Sequence, residues 1–367
     1  MKFTCERDGL MSAIQVVQRA MPARSTLAAL EGIHIRAEGD RLHLTCSDLV
    51  LCIQSQVPAL VENEGMAVMP GRLFAELVRK LPQGSIHVQM DNLSVKIACG
   101  KSLTTLQSMD PAEYPEMPSV EEAKPLNIKQ GSLKEMIRQT LFAVAMDETR
   151  PILTGELIEV EGEELRLVAL DGYRLSLRKE SVSSEGGDMQ FVVPSKSMAE
   201  IAKLFEDSDQ PATIALGENL AVVSLGDTKV ITRLLQGEYI KYRQILPSEW
   251  QSRARVNAGQ LTEAVERASL LAREGKNKLI KLQVENEAII VTAESERGQV
   301  YEDLPVHLTG KELEIAFNSR YLLDVLRVIS DEEIYLDFIS NLSPCVIRPV
   351  EGEGYLYLIL PVRLYGN

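Results

Sequence analysis

The stretch Val68-Met69-Pro70-Gly71-Arg72 recurs as Val192-Val193-Pro194-Ser195-Lys196 and again as Ala316-Phe317-Asn318-Ser319-Arg320. Its central residue lies at positions 70, 194 and 318, so 124 residues separate each copy from the next. In each copy an apolar pair precedes a turn residue and a basic residue, which is typical of a strand that leads into a helix. A fixed period of this kind predicts tandem copies of one structural unit.

A helix with two different faces is predicted after each junction. Counted from the basic residue, apolar side chains recur at positions +2, +5, +6 and +9, a spacing that places them on one stripe packed on a core. They are Phe74, Leu77, Val78 and Leu81, then Met198, Ile201, Ala202 and Phe205, then Leu322, Val325, Leu326 and Ile329. The opposite face has basic residues at positions 0 and +7, namely Arg72, Arg79, Lys196, Lys203, Arg320 and Arg327.

An acidic residue at position +4 leaves two interpretations of the polar face open. Glu76, Glu200 and Asp324 could pair with the basic residues of their own helices and form a ladder of weak surface ion pairs. Alternatively, the Arg and Lys tips could be presented to a polyanion. The pattern alone favours neither interpretation.

Each unit also contains an earlier amphipathic helix. It is marked by Leu10, Ile14 and Val17 in the first copy, by Leu133, Ile137 and Leu141 in the second, and by Leu261, Val265 and Ala268 in the third. Short runs that alternate apolar and polar residues follow, as expected of strands with one buried face. We therefore predict an α+β fold of three tandem units, residues 1–121, 122–248 and 249–367, each ordered as helix, strands, helix, strands. Aperiodic linkers at 111–125 and 247–252 separate them.

Composition restricts the class of protein. With 367 residues, 45% hydrophobic and 25% charged, the chain suits two or three globular domains. No run approaches the roughly 18 apolar residues that span a bilayer, and the N-terminus lacks an apolar signal core, so we expect a cytoplasmic protein without membrane contact. The net charge of −14 does not exclude nucleic acid, because what matters is whether the 39 basic residues gather on one face.

Catalytic and metal-binding patterns are missing from the sequence. The five cysteines include no Cys-x-x-Cys pair, so we expect reduced, half-buried thiols: Cys5, Cys46, Cys52, Cys99 and Cys345. The histidines lie in strand-like runs or near a turn, as structural histidines do: His34, His43, His87 and His307. Gly100-Lys101-Ser102 lacks the earlier glycine of a phosphate-binding loop, since Val95 stands there. We predict a binding scaffold without metal or cofactor, not an enzyme.

Two segments interrupt the apolar strands. Leu170-Asp171-Gly172-Tyr173-Arg174-Leu175 contains the Asp-Gly signal of a tight hairpin, and Leu358-Ile359-Leu360-Pro361-Val362-Arg363-Leu364 includes a proline that cannot continue a central strand. By themselves they favour a simple hairpin and an edge strand. An apolar docking groove next to the chain end is the alternative.

Several short motifs occur in a fixed order over the whole chain: Met1-Lys2-Phe3-Thr4, Arg24 with Thr26-Leu27, Glu161 to Leu165, Asp171 to Leu175, Tyr242-Arg243 with Leu246-Pro247, Tyr321 to Leu326, and Leu360 to Leu364. At these residues the sequence resembles the bacterial sliding clamp family, the β subunit of the replicative DNA polymerase. The resemblance implies a head-to-tail homodimer that closes into a ring of six clamp-type units, with helices around the hole. It implies that Arg24, Arg72, Arg79, Lys196, Lys203, Arg320 and Arg327 contact the phosphates of double-stranded DNA, which carry no sequence information.

The resemblance further implies a pocket between the second and third units for short peptides. Its residues would be Arg150, Leu153, Leu170, Gly172, Tyr173, Arg174, Leu175, Ile245, Asn318, Tyr321, Leu342, Leu360, Pro361, Val362 and Arg363. An apolar lining with an arginine rim suits aliphatic or aromatic anchors and an acidic or amide flank. The implied partners are the polymerase α subunit, the clamp-loader δ subunit, other polymerases and repair proteins.

Some residues depart from the family pattern. Leu170 stands where the family usually has Thr, Gln244 where Arg is frequent and Pro344 where Ser is common, and Tyr365-Gly366-Asn367 extend past the usual terminus. These departures bear on peptide preference. For ring closure, the resemblance points to Leu106 of the first unit packing against Leu270 and Leu271 of the third. The alternatives are a divergent paralogue that serves as an interaction scaffold or resistance copy, and a metabolic enzyme.

Overall fold

The computed structural model describes residues 1–116, 125–184, 187–275 and 278–363. The N-terminal unit contains helices α1 (Arg7–Val17) and α2 (Gly71–Lys80). Its strands are β1 (Lys2–Glu6), β2 (Gly32–Glu38), β3 (Arg41–Ser47), β4 (Leu51–Pro58), β5 (Leu60–Asn63), β6 (Gly65–Pro70), β7 (Ser85–Asp91), β8 (Ser94–Cys99) and β9 (Ser102–Gln107).

The central unit contains α3 (Gln130–Thr140) and α4 (Ser195–Leu204). Its strands are β10 (Leu126–Lys129), β11 (Gly155–Glu161), β12 (Glu164–Leu170), β13 (Arg174–Ser181), β14 (Ser183–Ser184), β15 (Met189–Pro194), β16 (Pro211–Leu216), β17 (Leu220–Leu225) and β18 (Thr228–Arg233).

The C-terminal unit contains α5 (Ala258–Glu274) and α6 (Ser319–Leu326). Its strands are β19 (Ser252–Asn257), β20 (Leu279–Val284), β21 (Ala288–Ser295), β22 (Gly298–Gly310), β23 (Leu313–Asn318), β24 (Glu333–Phe338), β25 (Cys345–Pro349) and β26 (Tyr355–Ile359).

The repeated junction is a strand followed by a helix in all three units. Strands β6, β15 and β23 end at Pro70, Pro194 and Asn318, and a helix begins at the next residue each time. The predicted apolar stripes are buried or half-buried in every unit. The α+β fold with three tandem units is therefore confirmed. The boundaries at 121 and 248 stay predictions, and the first falls outside the described residues.

A strand, not a helix, begins each unit. Strands β1, β10 and β19 precede the first helices and pair with β7, β16 and β24. The predicted order, with the helix first, was wrong. These strands have only four to six residues, too few to produce a clear alternating signal beside a longer helix.

The strands form three antiparallel sheets. The five-stranded sheet has the order β5-β1-β7-β8-β9, and the nine-stranded sheet has the order β14-β10-β16-β17-β18-β4-β3-β2-β6. The twelve-stranded sheet has the order β15-β11-β12-β13-β26-β25-β24-β19-β22-β21-β20-β23. Strand β26 lies between β13 and β25, so the edge strand expected at the C-terminus is a central strand that ends before Pro361.

Contacts divide the chain into two compact bodies. The first contains the N-terminal unit with β10, β14 and β16 to β18, and it includes the whole nine-stranded sheet. The second contains α3, β11 to β13, β15 and the C-terminal unit, and it includes the whole twelve-stranded sheet. The central unit thus shares one sheet with each of its neighbours along the chain.

Buried apolar side chains fill both faces of the twelve-stranded sheet. One large cluster packs α5 and α6 on the strands of the C-terminal unit. A second cluster, around Leu157, Leu175, Leu177 and Leu358, lies on the other face. All five cysteines are free thiols and fully buried, not half-buried as expected. Within the described ranges, no helix is long and apolar enough to cross a membrane.

Candidate functional site

The seven basic residues predicted to contact DNA are exposed. Arg24 lies in the loop before β2, and the other six lie on α2, α4 and α6 or directly after α6. Each of these helices buries its apolar stripe and turns positions 0 and +7 to solvent, as the spacing predicts. The repeated basic face is therefore a surface feature of every unit.

The ion-pair ladder is present in the central and C-terminal units. Its pairs are Lys203 Nζ with Glu200 Oε1 at 2.7 Å, Arg320 Nε with Asp324 Oδ2 at 3.7 Å, and Arg327 Nη2 with Glu266 Oε1 of α5 at 2.8 Å. The carboxylates offset much of the positive charge that these side chains would offer to an anion.

The N-terminal unit lacks this ladder. Arg72 Nη2 donates to the backbone oxygen of Ala23 at 2.9 Å, which holds its guanidinium beside the loop of Arg24. Among the described residues, Arg24, Arg72 and Arg79 form no ion pair with a carboxylate. The ladder interpretation therefore holds for the central and C-terminal units, whereas the basic side chains of the N-terminal helix α2 are exposed without such pairs to the described residues.

The hairpin between β12 and β13 is held by its own aspartate. Asp171 Oδ1 accepts from the backbone nitrogens of Tyr173 at 2.9 Å and Arg174 at 3.0 Å. Gly172 has a φ of 91°, which a residue with a side chain adopts only with strain. The backbone nitrogen of Leu360 donates to the oxygen of Tyr173 at 2.8 Å, so the hairpin tip and the C-terminal segment lie side by side.

Arg174 is buried beneath the hairpin and connects three elements. Its Nη1 lies 2.6 Å from Asp324 Oδ2 on α6, and its Nε lies 3.1 Å from Asp171 Oδ2. Its Nη2 donates to the backbone oxygen of Phe142 at 2.6 Å. The guanidinium carbon also lies 4.7 Å from the ring centre of Tyr321. These contacts engage all three nitrogens of the guanidinium, so Arg174 supports the predicted pocket from below.

The predicted pocket residues separate into a buried floor and an exposed rim. Leu153, Leu170 and Leu175 are buried and belong to one apolar cluster. The exposed apolar rim consists of Tyr173, Ile245, Leu342, Leu360 and Val362. Tyr173 is 59% exposed, and its ring stacks on that of Tyr321 with 5.9 Å between centroids. Exposed aromatic and aliphatic side chains around an apolar floor suit the capture of apolar anchors.

Polar members of the predicted pocket have different roles. Arg150 and Arg363 are exposed at the rim and form no ion pair with the described residues. The side-chain oxygen of Asn318 accepts from the backbone nitrogen of Arg320 at 3.0 Å, so Asn318 caps α6. Pro361 is half-buried between the exposed rim residues.

The departures from the family pattern leave this surface apolar. Leu170 is part of the buried floor, where it adds apolar contact in place of a hydroxyl. Gln244 is exposed and Pro344 is half-buried. The residues Tyr365-Gly366-Asn367 lie outside the described residues.

The residues expected at the ring interface lie on two separate elements. Leu106 is half-buried on β9, the edge strand of the five-stranded sheet. Leu270 is exposed and Leu271 is half-buried near the end of α5. No group of three or more potential metal-ligating side chains occurs in the described part of the chain.

Sequence reasoning missed two sets of surface residues. Leu103 on β9 and Tyr301 on β22 are 70% and 64% exposed. Each lies at a regular alternating position of its strand, so the sequence pattern did not distinguish it from other strand residues. A basic cluster of Arg253 and Arg348 around Asp337 was missed as well, because its members are far apart in sequence.

Family models of the DNA polymerase III β subunit match three consecutive segments of the chain. The N-terminal domain matches residues 1–118, the central domain 127–241 and the C-terminal domain 243–363. The β sliding clamp of Bacillus subtilis (strain 168) is 36% identical over 378 residues, with 100% of both chains covered.

Solved structures agree with this assignment. The DNA polymerase sliding clamp from Bacillus subtilis has a TM-score of 0.97 at 36% identity and covers 100% of both chains. A DNA polymerase III β subunit from Eubacterium rectale ATCC 33656 has a TM-score of 0.96 at 33% identity, covering 99% of this chain and 100% of its own. The full-length matches and the three repeated units lead to one conclusion: this chain belongs to the DNA polymerase III β subunit family of sliding clamps.

Proposed function

We propose that two copies of this chain form a closed ring around double-stranded DNA and tether replication and repair proteins to it, at the nucleoid in the cytoplasm. The observation that carries the proposal is the exposed basic face repeated on α2, α4 and α6 in a protein of net charge −14. Such a face attracts phosphates without reading bases. The family is that of a processivity factor without catalytic activity, so the chain is not an enzyme.

The predicted pocket supports the tethering part of the proposal. Its buried leucine floor and its exposed rim, including Tyr173 and Leu360, fit a short peptide with aliphatic or aromatic anchors. We assign this role to contacts with the polymerase α subunit, the clamp-loader δ subunit, other polymerases and repair proteins.

Ring closure is supported by the way successive units join within the chain. Strand β18 of the central unit pairs with β4 of the N-terminal unit, and β26 of the C-terminal unit pairs with β13 of the central unit. In both cases the last strand of one unit pairs with the third long strand of the unit before it. By the same rule, β22 would pair with β9 of a second chain. In the described structure, β9 and residues 298–305 of β22 each have one unpaired edge.

The internal junctions also specify a register for this pairing. Ile53 faces Val230 in the first junction, and Ser176 faces Tyr357 in the second. The residue of β22 at the same place is Val300. The last strands of the three units are β9, β18 and β26. When they are aligned by their pairing with the strands before them, β8, β17 and β25, the equivalent residues are Thr104, Val230 and Tyr357.

Val300 of one chain would therefore face Thr104 of its partner. Tyr301 would then face Leu103, which brings together two exposed apolar side chains. The same register places Leu106 opposite Gly298, and Leu271 Cδ1 lies 3.9 Å from the position of a Cβ on Gly298. The expected contact between Leu106 and Leu271 follows from this register.

We expect the pair Leu103→Cys with Tyr301→Cys to form an intersubunit disulfide under mild oxidation, because facing strand residues have Cβ atoms about 5 Å apart. Non-reducing electrophoresis should show a covalent dimer. The control pair, Leu103→Cys with Glu302→Cys, is shifted by one residue and places the thiols on opposite sheet faces. Equal crosslinking of the control would contradict the register.

The crosslinked ring provides the test of function. The double variant is oxidised in the presence of nicked circular DNA and then washed with about 1 M NaCl, which screens phosphate contacts. A ring around DNA stays bound to the circle and leaves when a restriction enzyme linearises it. Equal loss from circular and linear DNA would refute encirclement.

Phosphate contacts should be strongest in the N-terminal unit, where carboxylates do not neutralise the cations. We expect the triple variant Arg24→Ala, Arg72→Ala and Arg79→Ala to lower the slope of log affinity against log salt by roughly 0.9 per lost contact. The double variant, Arg320→Ala and Arg327→Ala, should change it less per removed residue, because both side chains already face carboxylates. Fluorescence anisotropy with a short duplex measures both slopes, and a larger change in the double variant would reverse this assignment.

A further inference from the structure

A groove of about 320 Å³ lies on the face of the twelve-stranded sheet that carries the predicted pocket. Its apolar floor is formed by Leu177 on β13, Leu356 on β26 and Leu246. Its polar wall is formed by the cations Lys179, Arg253 and Arg348 and by one carboxylate, Glu353. All of these residues belong to one compact body.

The groove is continuous with the pocket. Leu177 follows the pocket residue Leu175 by two positions on the same face of β13, and Leu246 directly follows the pocket residue Ile245. Leu175 and Leu177 belong to one buried cluster, on which Leu246 packs. Two residues of strand span about 7 Å, so an extended peptide held in the pocket reaches the groove within two to four further residues.

The groove has an excess of positive charge. Arg253 Nε and Nη2 lie 2.6 Å and 2.7 Å from the two oxygens of Asp337, and Arg348 Nε lies 3.0 Å from the same carboxylate. One buried carboxylate therefore faces two guanidinium groups. Lys179 Nζ lies 3.6 Å from Glu353, which is 86% exposed on a loop and offsets little charge through solvent. Lys179 Nζ also lies 4.0 Å from Glu164 Oε1, which is shared with Arg166.

The arginine wall is held in place before any ligand arrives. The guanidinium of Arg253 lies between two rings, 4.6 Å from the centre of Trp250 and 4.5 Å from that of Tyr335. Asp337 fixes the same side chain from the sheet side and also holds Nε of Arg348, the arginine next to it in the wall. A cation that is already ordered loses little conformational entropy when it binds an anion.

We propose that this groove binds an acidic segment of the partner peptide, next to the apolar anchors that occupy the pocket. The proposal rests on the proposed peptide-binding function and adds a specificity element to it. The apolar floor contacts the aliphatic carbons of the segment. The ammonium of Lys179 and the guanidinium of Arg348 bind its carboxylates. Partners with acidic residues two to four positions from their anchors are favoured over partners without them.

The experiment compares three fluorescent synthetic peptides. The neutral peptide has a Leu-Leu-Phe core between glycine and serine residues. The two acidic peptides add three glutamates two residues from the core, one before it and the other after it. On wild-type protein at low salt, one acidic version should bind about tenfold more tightly than the neutral peptide. The double variant Lys179→Gln with Arg348→Gln should lose this preference and bind the neutral peptide as before.

Glu353→Gln provides a second variant with the opposite expectation. It removes an exposed negative charge without touching the core, so affinity for the acidic peptide should rise a few-fold. Equal affinities of all peptides for wild-type protein would overturn the groove and leave the pocket intact. Binding of the acidic peptide alone, sensitive to Arg348 but not to Tyr173→Ala, would overturn the pocket and support the groove. Failure of every peptide to bind would refute both.

Discussion

Replacing Glu156 with isoleucine is expected to stabilise the protein, by an amount that grows between about pH 4.5 and pH 8. Glu156 is completely buried on β11, where its Oε1 accepts a hydrogen bond from Thr140 Oγ1 at 2.5 Å. Its Oε2 has no hydrogen-bond partner among the described residues. The equivalent positions in the other two units hold Ile33 and Ile280, both buried. Isoleucine therefore fits this site of the repeat.

The pH dependence follows from the proton of Glu156. Burial raises the pKa of its carboxyl from 4.5 to about 8, although the hydrogen bond from Thr140 lowers it in part. Below pH 4.5 the carboxyl is protonated in the folded and the unfolded chain. Between pH 4.5 and 8 the unfolded chain releases the proton and the folded chain keeps it, so stability falls by about 1.4 kcal/mol per pH unit. Above pH 8 the loss is complete. Burial also raises the pKa of the neighbouring Tyr239, which stays protonated in this window.

Urea unfolding at pH 5 and pH 8.5 measures this effect. Glu156→Ile should gain about 3 kcal/mol or more in unfolding free energy at pH 8.5 relative to its gain at pH 5. Glu156→Gln should also remove the pH dependence, because it cannot ionise. Glu163→Gln, on the exposed turn after β11, is the matched control and should change neither value. Equal gains of Glu156→Ile at both pH values would show that the carboxyl is not the source.

The repeat was predictable because its signals are local. The apolar stripe of each second helix depends on residues three and four positions apart, and the turn residues Pro70, Pro194 and Asn318 stand where a strand meets a helix. Strand partners were not predictable in this way. The central position of β26 depends on pairing between Ser176 and Tyr357, which are 181 residues apart. Pro361, next to the end of β26, indicated an edge strand. Whether a strand lies at the edge of a sheet depends on which strands pair with it, and the local sequence does not specify them.

The candidate site was predictable only in part, for the same reason. The resemblance placed Tyr173 and Arg174 in the pocket, and the Asp-Gly hairpin that presents them is a local signal. The burial of Arg174 depends on Phe142 and Asp324, which come from other elements. Asp324 was interpreted as one step of an ion-pair ladder, and it also belongs to the support of the pocket. No local signal marks Glu156 as buried, and only comparison with the equivalent residues Ile33 and Ile280 distinguishes it.

Arg174→Ala is expected to weaken peptide binding in the pocket on the order of a hundredfold. The substitution removes the cation between Asp171 and Asp324 and the support beneath Tyr321, whose ring stacks on Tyr173. Removing one partner of a buried ion pair costs about 3–5 kcal/mol, because the remaining charge is buried without compensation. The second compact body should therefore unfold at a lower urea concentration.

Three variants separate a supporting role from direct contact with the peptide. Arg174→Lys should bind the peptide little better than Arg174→Ala, because one ammonium cannot reach the acceptors on Asp171, Asp324 and Phe142 at once. Adding Asp324→Asn to Arg174→Ala should recover part of the stability by removing one of the two carboxylates that lost the buried guanidinium, but it should not recover peptide affinity. Arg150→Ala, at the exposed rim, should weaken binding only a few-fold and leave stability unchanged.

Fluorescence anisotropy with the Leu-Leu-Phe peptide and urea unfolding give the two readouts for each variant. If Arg174→Ala binds normally and Arg150→Ala does not, the rim cation recognises the peptide and the buried arginine is dispensable. If stability and affinity recover together in the double variant, the pocket depends on charge balance alone. We expect the double variant to recover stability without affinity. That result would mean that the guanidinium itself positions Tyr321 and Tyr173, because it contacts the hairpin, α6 and the turn after α3 together.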